Sequence, residues 1–71
     1  MNEQELQLIR QKIKFFSENN IKIHIETDKN MFYNGFISDI KDEFIIFNDR
    51  MLGEIPIFYL EISKIERYQE R

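Results

Sequence analysis

Hydrophobic residues recur along the first part of the chain at the spacing of an α-helix. Successive members of the set are three or four residues apart, so they form one apolar stripe on a helix surface. The stripe consists of Leu6, Ile9, Ile13 and Phe16, widened by Leu8 and Phe15. Asn2 is a suitable N-cap because its side-chain oxygen can accept a hydrogen bond from the first turn. The sequence therefore predicts a helix over residues 2–18.

From Ile21 onward, apolar residues alternate with polar ones, which is the period of a half-buried β-strand. Clusters of turn-forming residues then divide the remaining chain into five short strands. The predicted strands cover residues 21–26, 31–40, 44–47, 55–60 and 64–68. One helix followed by five short antiparallel strands predicts a mainly β fold, in which residues 21–68 form a strongly bent barrel.

Gly35 interrupts the second predicted strand. A glycine inside a strand costs backbone entropy and packs no side chain. Because the chain contains only two glycines, we expect this one to serve a purpose. Sharp bends and close approaches of another backbone are the usual reasons for such a glycine.

The fourth predicted strand is apolar on both faces and contains Pro56, which cannot donate to a ladder and belongs at an edge, a strand start or a bulge. An apolar edge strand promotes aggregation unless it is covered. A chain of 71 residues has a small core, and without cysteine it cannot use disulfides. Either the N-terminal helix or a strand of a second copy can cover this edge, and we favour the second copy.

Composition excludes several classes of function. The formal net charge is −3, which argues against nucleic-acid binding by bulk positive charge. One histidine and no cysteine exclude a zinc or thiolate metal site. The carboxylates of Asp39, Asp42 and Glu43 could bind a hard cation or act as acid and base, but a solvated turn is the preferred interpretation. The sequence also lacks a phosphate-binding loop and a nucleophile with a base. We therefore predict no catalytic residues, no cofactor and no enzymatic activity.

No apolar run is long enough to span a bilayer, and the acidic N-terminus lacks the pattern of a signal peptide. The sequence predicts one cytoplasmic, membrane-free domain over residues 1–71. His24 lies on the polar side of the first strand. It is expected to be an exposed surface residue, with base stacking or pH sensing as the alternative role.

The order of these elements resembles the Sm-like (LSm) family, and within it the bacterial Hfq RNA chaperone. Tyr33, Gly35, Ile37 and Ile40 match the family's second-strand pattern, in which an aromatic or apolar residue precedes a glycine and two further apolar positions. Residues 57–63 resemble the Leu-Ile-Tyr-Lys-His-Ala-Ile-Ser stretch of Hfq. The likeness extends over residues 5–68.

This resemblance implies a homo-oligomeric ring of six or seven subunits, in which the fourth strand of one subunit pairs with the fifth strand of the next. The interface residues it implies are Ile55, Ile57, Phe58, Tyr59, Ile65 and Arg67. It further implies that the ring binds single-stranded RNA. The Lys-His pair that holds uridine in the family falls on Tyr59 and Leu60, and a family aspartate falls on Lys41, so the contacts here would differ.

Five residues are candidate RNA contacts by this analogy: Lys41, Asp42, Tyr59, Phe32 and Asn34. A basic group near an aromatic ring can bind a phosphate and stack a base. Outward-facing aromatics on the second strand could do the same, or could pack under the helix. Two other functions remain open: an adaptor barrel that binds protein and no RNA, and a monomeric accessory domain of a larger complex.

Overall fold

The N-terminal helix, α1, covers Glu3–Glu18 in the computed structural model, which describes residues 2–69. Asn2 caps it, because the side-chain oxygen accepts a hydrogen bond of 2.8 Å from the backbone N–H of Glu5. Glu3 and Glu5 lie in the first turn, where the helix dipole favours negative charge. Both the helix and its N-cap were predicted from the sequence and are confirmed.

Four residues of the predicted stripe face the core, and the two residues expected to widen it do not. Those that pack against the core are Leu6, Ile9, Ile13 and Phe16. Leu8 and Phe15 are 53% and 49% exposed, so their prediction was wrong. The buried stripe is narrower than expected because the residues spaced three and four apart already fill the contact between the helix and the sheet.

Five antiparallel strands follow the helix, as predicted, and pair in the order β4-β3-β2-β1-β5. Their bounds are β1 Ile23–Thr27, β2 Phe32–Ile40, β3 Phe44–Asp49, β4 Gly53–Phe58 and β5 Ile62–Arg67. Within the described part of the chain, β4 and β5 are the two edges of the sheet. Only the short 3₁₀ turn Tyr59–Glu61 joins these edges, so they must lie close together at that end and the sheet must bend strongly.

The last two strands begin earlier in the chain than the sequence pattern indicated. The loop expected over residues 48–54 is confined to residues 50–52, and β4 starts at Gly53 with a φ of 77°. It ends at Phe58 rather than at residue 60. The turn expected over residues 61–63 lies instead at Tyr59–Glu61, and β5 starts at Ile62. In a strand that is apolar on both faces, apolar and polar residues do not alternate. The sequence therefore does not show where such a strand begins and ends.

Gly35 lies where β2 changes partner. It is opposite Ile23 of β1 and opposite Asp49 of β3, so three strands meet at this residue. A Cβ atom on Gly35 would overlap the backbone carbonyl oxygen of Asn48. The close backbone approach predicted for this glycine is confirmed.

The core lies between the inward side of the sheet and the helix. It is built almost entirely from isoleucine and aromatic side chains, since these pack well on a pleated surface. Its buried members are Ile13, Phe16, Ile23, Ile25, Ile45, Phe47, Ile57, Tyr59, Ile62 and Ile65. Tyr59 brings the 3₁₀ turn into this core and thereby positions the first candidate site.

Candidate functional site

Helix α1, the β2–β3 turn and the 3₁₀ turn meet at one end of the sheet. The guanidinium of Arg10 lies 4.6 Å from the centre of the Tyr59 ring. Arg10 Nη2 also donates a hydrogen bond of 2.9 Å to the backbone carbonyl of Asp42. Tyr59 OH donates at 2.7 Å to the backbone carbonyl of Lys41. We call Arg10, Lys41, Asp42 and Tyr59 the Arg10 cluster.

Tyr59 is a structural member of this cluster. Its side chain is 2% exposed, one ring face is covered by Arg10, and its hydroxyl is engaged by Lys41. Burial raises the pKa of the Tyr59 hydroxyl; the charge of Arg10 opposes the shift and that of Asp42 reinforces it. The ring therefore holds the helix and the β2–β3 turn together, and it has little free surface on which a base could stack.

The positive charge of the cluster comes from Arg10, which the sequence analysis did not identify. Lys41 was expected to supply this charge, but its Nζ lies 2.9 Å from Asp39 Oδ2. Arg10 could have been identified from its position in the sequence. It lies four residues after Leu6 and three before Ile13, and therefore at the border of the apolar stripe. A guanidinium there can reach over the barrel end while its stem covers apolar surface.

A depression of about 260 Å³ opens beside the cluster. Its lining residues are Leu6, Arg10, Glu43, Phe58, Tyr59 and Leu60. Leu60 is 71% exposed and Phe58 is 47% exposed, and the Phe58 ring centre lies 5.2 Å from that of Phe44. Aromatic and aliphatic walls next to one guanidinium suit a flat ring that carries a negative group, because Arg both stacks and binds phosphate.

Phe32 and Asn34 lie elsewhere, on the outward side of β1 and β2. His24 Nδ1 is 2.7 Å from Asn34 Oδ1, and His24 Nε2 is 2.9 Å from Glu26 Oε2. The rings of His24 and Phe32 are 6.0 Å apart, and Phe32 is 61% exposed. We call these four residues the His24 group. The structure thus separates the predicted contacts into two sites, Phe32 and Asn34 in one and Lys41, Asp42 and Tyr59 in the other.

Both ring nitrogens of His24 face acceptors, so the doubly protonated imidazolium satisfies the geometry best. Burial lowers the pKa of His24. Hydrogen bonds to Glu26 and Asn34, together with the charges of Glu26 and Glu66, raise it by more than burial lowers it. The pKa therefore lies above its ordinary value of 6.5. Glu66 is itself paired with a cation, because Lys64 Nζ lies 3.4 Å from Glu66 Oε1. Instead of the exposed surface residue expected from the sequence, His24 is part-buried and paired on both sides.

Stability is expected to fall as the pH rises through the folded pKa of His24. The contribution of a group whose pKa is raised by folding is complete below its unfolded pKa, near 6.5, and disappears at higher pH. Thermal unfolding of the protein and of His24→Gln between pH 5.5 and 8.5 measures this effect. The gap in Tm should narrow with rising pH, and a gap that stays constant would contradict the assignment.

The six predicted interface residues differ in how they are placed. Ile57, Tyr59 and Ile65 are buried in the protomer's own core, so they could serve an interface only through their backbone. Phe58 and Arg67 are exposed, and Ile55 is half-buried. All but Tyr59 lie on the edge strands β4 and β5, and a subunit interface at these residues remains a prediction.

Comparison with known proteins supports the fold. No family profile and no curated protein matches the chain. Among solved structures, the crystal structure of the pleiotropic translational regulator Hfq matches with a TM-score of 0.71 and 14% sequence identity, covering 82% of this chain and 95% of that one. The chain has an Sm-like fold. The resemblance of fold inferred from the sequence is thereby confirmed.

An Sm-like fold at 14% identity establishes the architecture alone, because one fold can carry many functions. Between residues 2 and 69, no helix is long and apolar enough to cross a membrane. In the same range, no three His, Cys, Asp or Glu side chains are grouped so that they could hold a metal ion. The Arg10 cluster and the two sheet edges are therefore the features from which a function can be argued.

Proposed function

We propose that this protein is a non-enzymatic, cytoplasmic RNA-binding protein whose Sm-like domain, over residues 1–71, assembles into a homo-oligomeric ring of six or seven copies. The main support is an Sm-like fold whose two edge strands, β4 and β5, each pair on one side only in the described chain. A strand edge with unpaired backbone groups is a template for another strand. Joining β4 of one copy to β5 of the next covers both edges at once, and it closes a ring when the rotation between neighbouring copies divides a full turn.

In this ring, the depression beside the Arg10 cluster would be repeated around one face. Arg10 supplies charge for a phosphate, and Phe58 and Leu60 supply apolar surface for a base. Each contact is weak on a protein with a net charge of −3. Several identical contacts on one strand of RNA raise the effective affinity, because every later contact forms intramolecularly.

A protein-binding adaptor without RNA affinity is the second candidate. It is favoured by the exposed apolar residues Phe58 and Leu60, and by the carboxylate of Glu43 in the same depression, which repels phosphate. Arg10 is also partly engaged by its bond to the Asp42 carbonyl. The two candidates differ in whether the depression takes a nucleotide.

Native mass spectrometry with and without short oligo-U and oligo-A separates these functions. The RNA-binding ring predicts one species of six or seven copies that takes up RNA and releases it as salt increases. A ring that binds neither RNA at low salt supports the adaptor. A monomer at micromolar concentration would contradict the ring.

Arg10→Ala is expected to weaken RNA binding by roughly tenfold, since one stacking or charge contact per subunit is lost. Lys14→Ala is the matched control. Lys14 carries the same charge on the same helix, but its side chain is 76% exposed and lies 3.9 Å from Glu18. Fluorescence anisotropy with labelled oligo-U measures both variants. Equal losses for the two would show that Arg10 contributes only bulk charge.

A further inference from the structure

Backbone groups along β4 point alternately toward β3 and toward the open edge. The N–H of Tyr59 donates to the carbonyl of Glu43 at 3.1 Å, which fixes this alternation. Since odd-numbered residues of the strand face β3, the N–H and C=O positions of Glu54, Pro56 and Phe58 face outward. These three residues decide what the open edge can bind.

Two of the three outward donors are missing from this edge. Pro56 has no N–H. The N–H of Phe58 donates to Glu61 Oε1 at 2.9 Å. Glu61 is held in place for this contact, because its own carbonyl accepts a hydrogen bond of 2.9 Å from the N–H of Asp28. The carbonyls of Glu54 and Pro56 remain open on this edge, whereas that of Phe58 is taken by the 3₁₀ turn that Phe58 caps. The edge therefore has more free acceptors than free donors.

The other edge of the sheet retains both its donors and its acceptors. The N–H of Tyr68 donates to the carbonyl of Lys22 at 3.0 Å, so even-numbered residues of β5 face β1. Ile65 and Arg67 consequently direct their N–H and C=O groups to the open side of β5. Neither is proline, and the edge therefore offers donors to the carbonyls of β4.

We infer that Pro56 and Glu61 restrict the β4 edge to a strand that can bind chiefly by donating hydrogen bonds, and that the partner is the β5 edge of a second copy. Glu61 acts as a removable cover: it occupies the Phe58 N–H until a carbonyl of the incoming strand replaces it. This inference rests on the proposed ring. It adds that assembly is held back by a contact within the protomer, which protects a freshly folded chain from indiscriminate strand addition.

Two variants restore a donor to the edge by independent routes. Glu61→Ala frees the N–H of Phe58, and Pro56→Val adds an N–H that points outward. Each restored hydrogen bond is expected to tighten self-association roughly 2- to 10-fold per interface. Glu61→Gln retains a side-chain acceptor and should stay near the wild type. Glu54→Ala removes a negative charge from the same strand without adding a donor, and serves as the charge control.

Sedimentation velocity over a range of concentrations measures the association of all four variants, with circular dichroism to verify folding. Tighter association of both Glu61→Ala and Pro56→Val, but of neither control, supports the inference. Unchanged or weaker association of these two variants overturns it, as does equal tightening of Glu54→Ala. If Glu61 only caps the 3₁₀ turn, Glu61→Ala will not tighten association, whatever the effect of Pro56→Val.

Failure of the ring and failure of this inference can be told apart. A wild-type monomer at every concentration would contradict the ring, whereas the cover is judged by the change from wild type to variant. If the wild type is monomeric, Glu61→Ala and Pro56→Val should form dimers that the wild type does not form. If these variants also stay monomeric, the inference is overturned. Amide hydrogen exchange adds a direct readout: the N–H of Phe58 should exchange faster in Glu61→Ala than in Glu61→Gln.

Discussion

Replacing Gly35 by alanine is expected to remove about 3 kcal/mol from the free energy of unfolding, because the new Cβ would overlap the backbone carbonyl of Asn48. Neither group is the end of a flexible side chain, so the conflict can be relieved only by moving β2 away from β3. A small domain has a total stability of only about 5 kcal/mol or somewhat more. The variant should therefore melt at least about 10 °C lower.

Ser38→Ala is the matched control for this prediction. Ser38 lies on the same strand and is exposed, so removal of its hydroxyl should change the unfolding free energy by less than about 0.5 kcal/mol. Thermal and urea unfolding, followed by circular dichroism, compare the two variants. Equal stability of Gly35→Ala and Ser38→Ala would mean that the strands can separate at this point without cost.

Asp49→Ala is expected to be the second most destabilising change, with a loss of about 2 kcal/mol. Asp49 is 6% exposed, and its carboxylate accepts hydrogen bonds from three backbone N–H groups: Met51 at 2.8 Å, Leu52 at 2.9 Å and Asn34 at 3.0 Å. Without the carboxylate, the tight β3–β4 loop and the β2 backbone lose their common acceptor. Asp28→Ala, at an exposed turn residue, is the control.

Acid titration tests the same contact. Burial raises the pKa of Asp49, but the N–H groups of Met51, Asn34 and Leu52 and the charge of Arg50 outweigh it, and the pKa lies below its ordinary value of 3.8. Stabilisation by Asp49 is therefore complete above pH 3.8 and is lost as the pH falls through the folded pKa. In urea unfolding, the gap between the protein and Asp49→Ala should close at low pH. A gap that persists in strong acid would assign the effect to packing.

Local patterns in the sequence were sufficient for the helix and for the number of strands. The N-cap at Asn2 and the stripe through Ile13 and Phe16 depend on residues within a few positions of each other, which a single sequence displays. The use of Gly35 could be predicted in kind, as a close approach, because glycine inside a strand has few other purposes. That the approaching group is the Asn48 carbonyl follows from strand register, which no local pattern encodes.

Errors at the ends of β4 and β5 have one local and one tertiary cause. Leu60 continues an apolar run, so the run alone indicates a longer strand. The strand ends at Phe58 because the chain turns into the 3₁₀ segment there, and the side chain of Glu61 caps this turn by accepting from the Phe58 N–H. On β5, Ile62 pairs with Thr27 only after a register shift between Glu26 and Thr27. The cap joins residues only three apart and is a local event, whereas the pairing of Ile62 with Thr27 depends on residues that meet through folding.

The candidate site was harder to predict than the fold because its residues meet only when the chain has folded. Lys41 and Tyr59 do meet, but through a backbone carbonyl and a hydroxyl rather than through an ammonium group and a ring face. The guanidinium of Arg10 arrives from a helix more than 30 residues away in the chain. His24 and Asn34 meet because β1 and β2 are paired in one particular register.

β1 lies between β2 and β5, and its pairing with β5, which we call the β1–β5 seam, joins strands that are far apart in the chain. β2, β3 and β4 pair with their neighbours in the chain, whereas Ile23 of β1 is opposite Arg67 of β5. Closing such a distant pair costs more chain entropy than forming a hairpin, because the loop between the strands is far longer. The β1–β5 seam is therefore the costliest part of the sheet to form and the slowest to assemble, while the consecutive hairpins can form on their own before it closes.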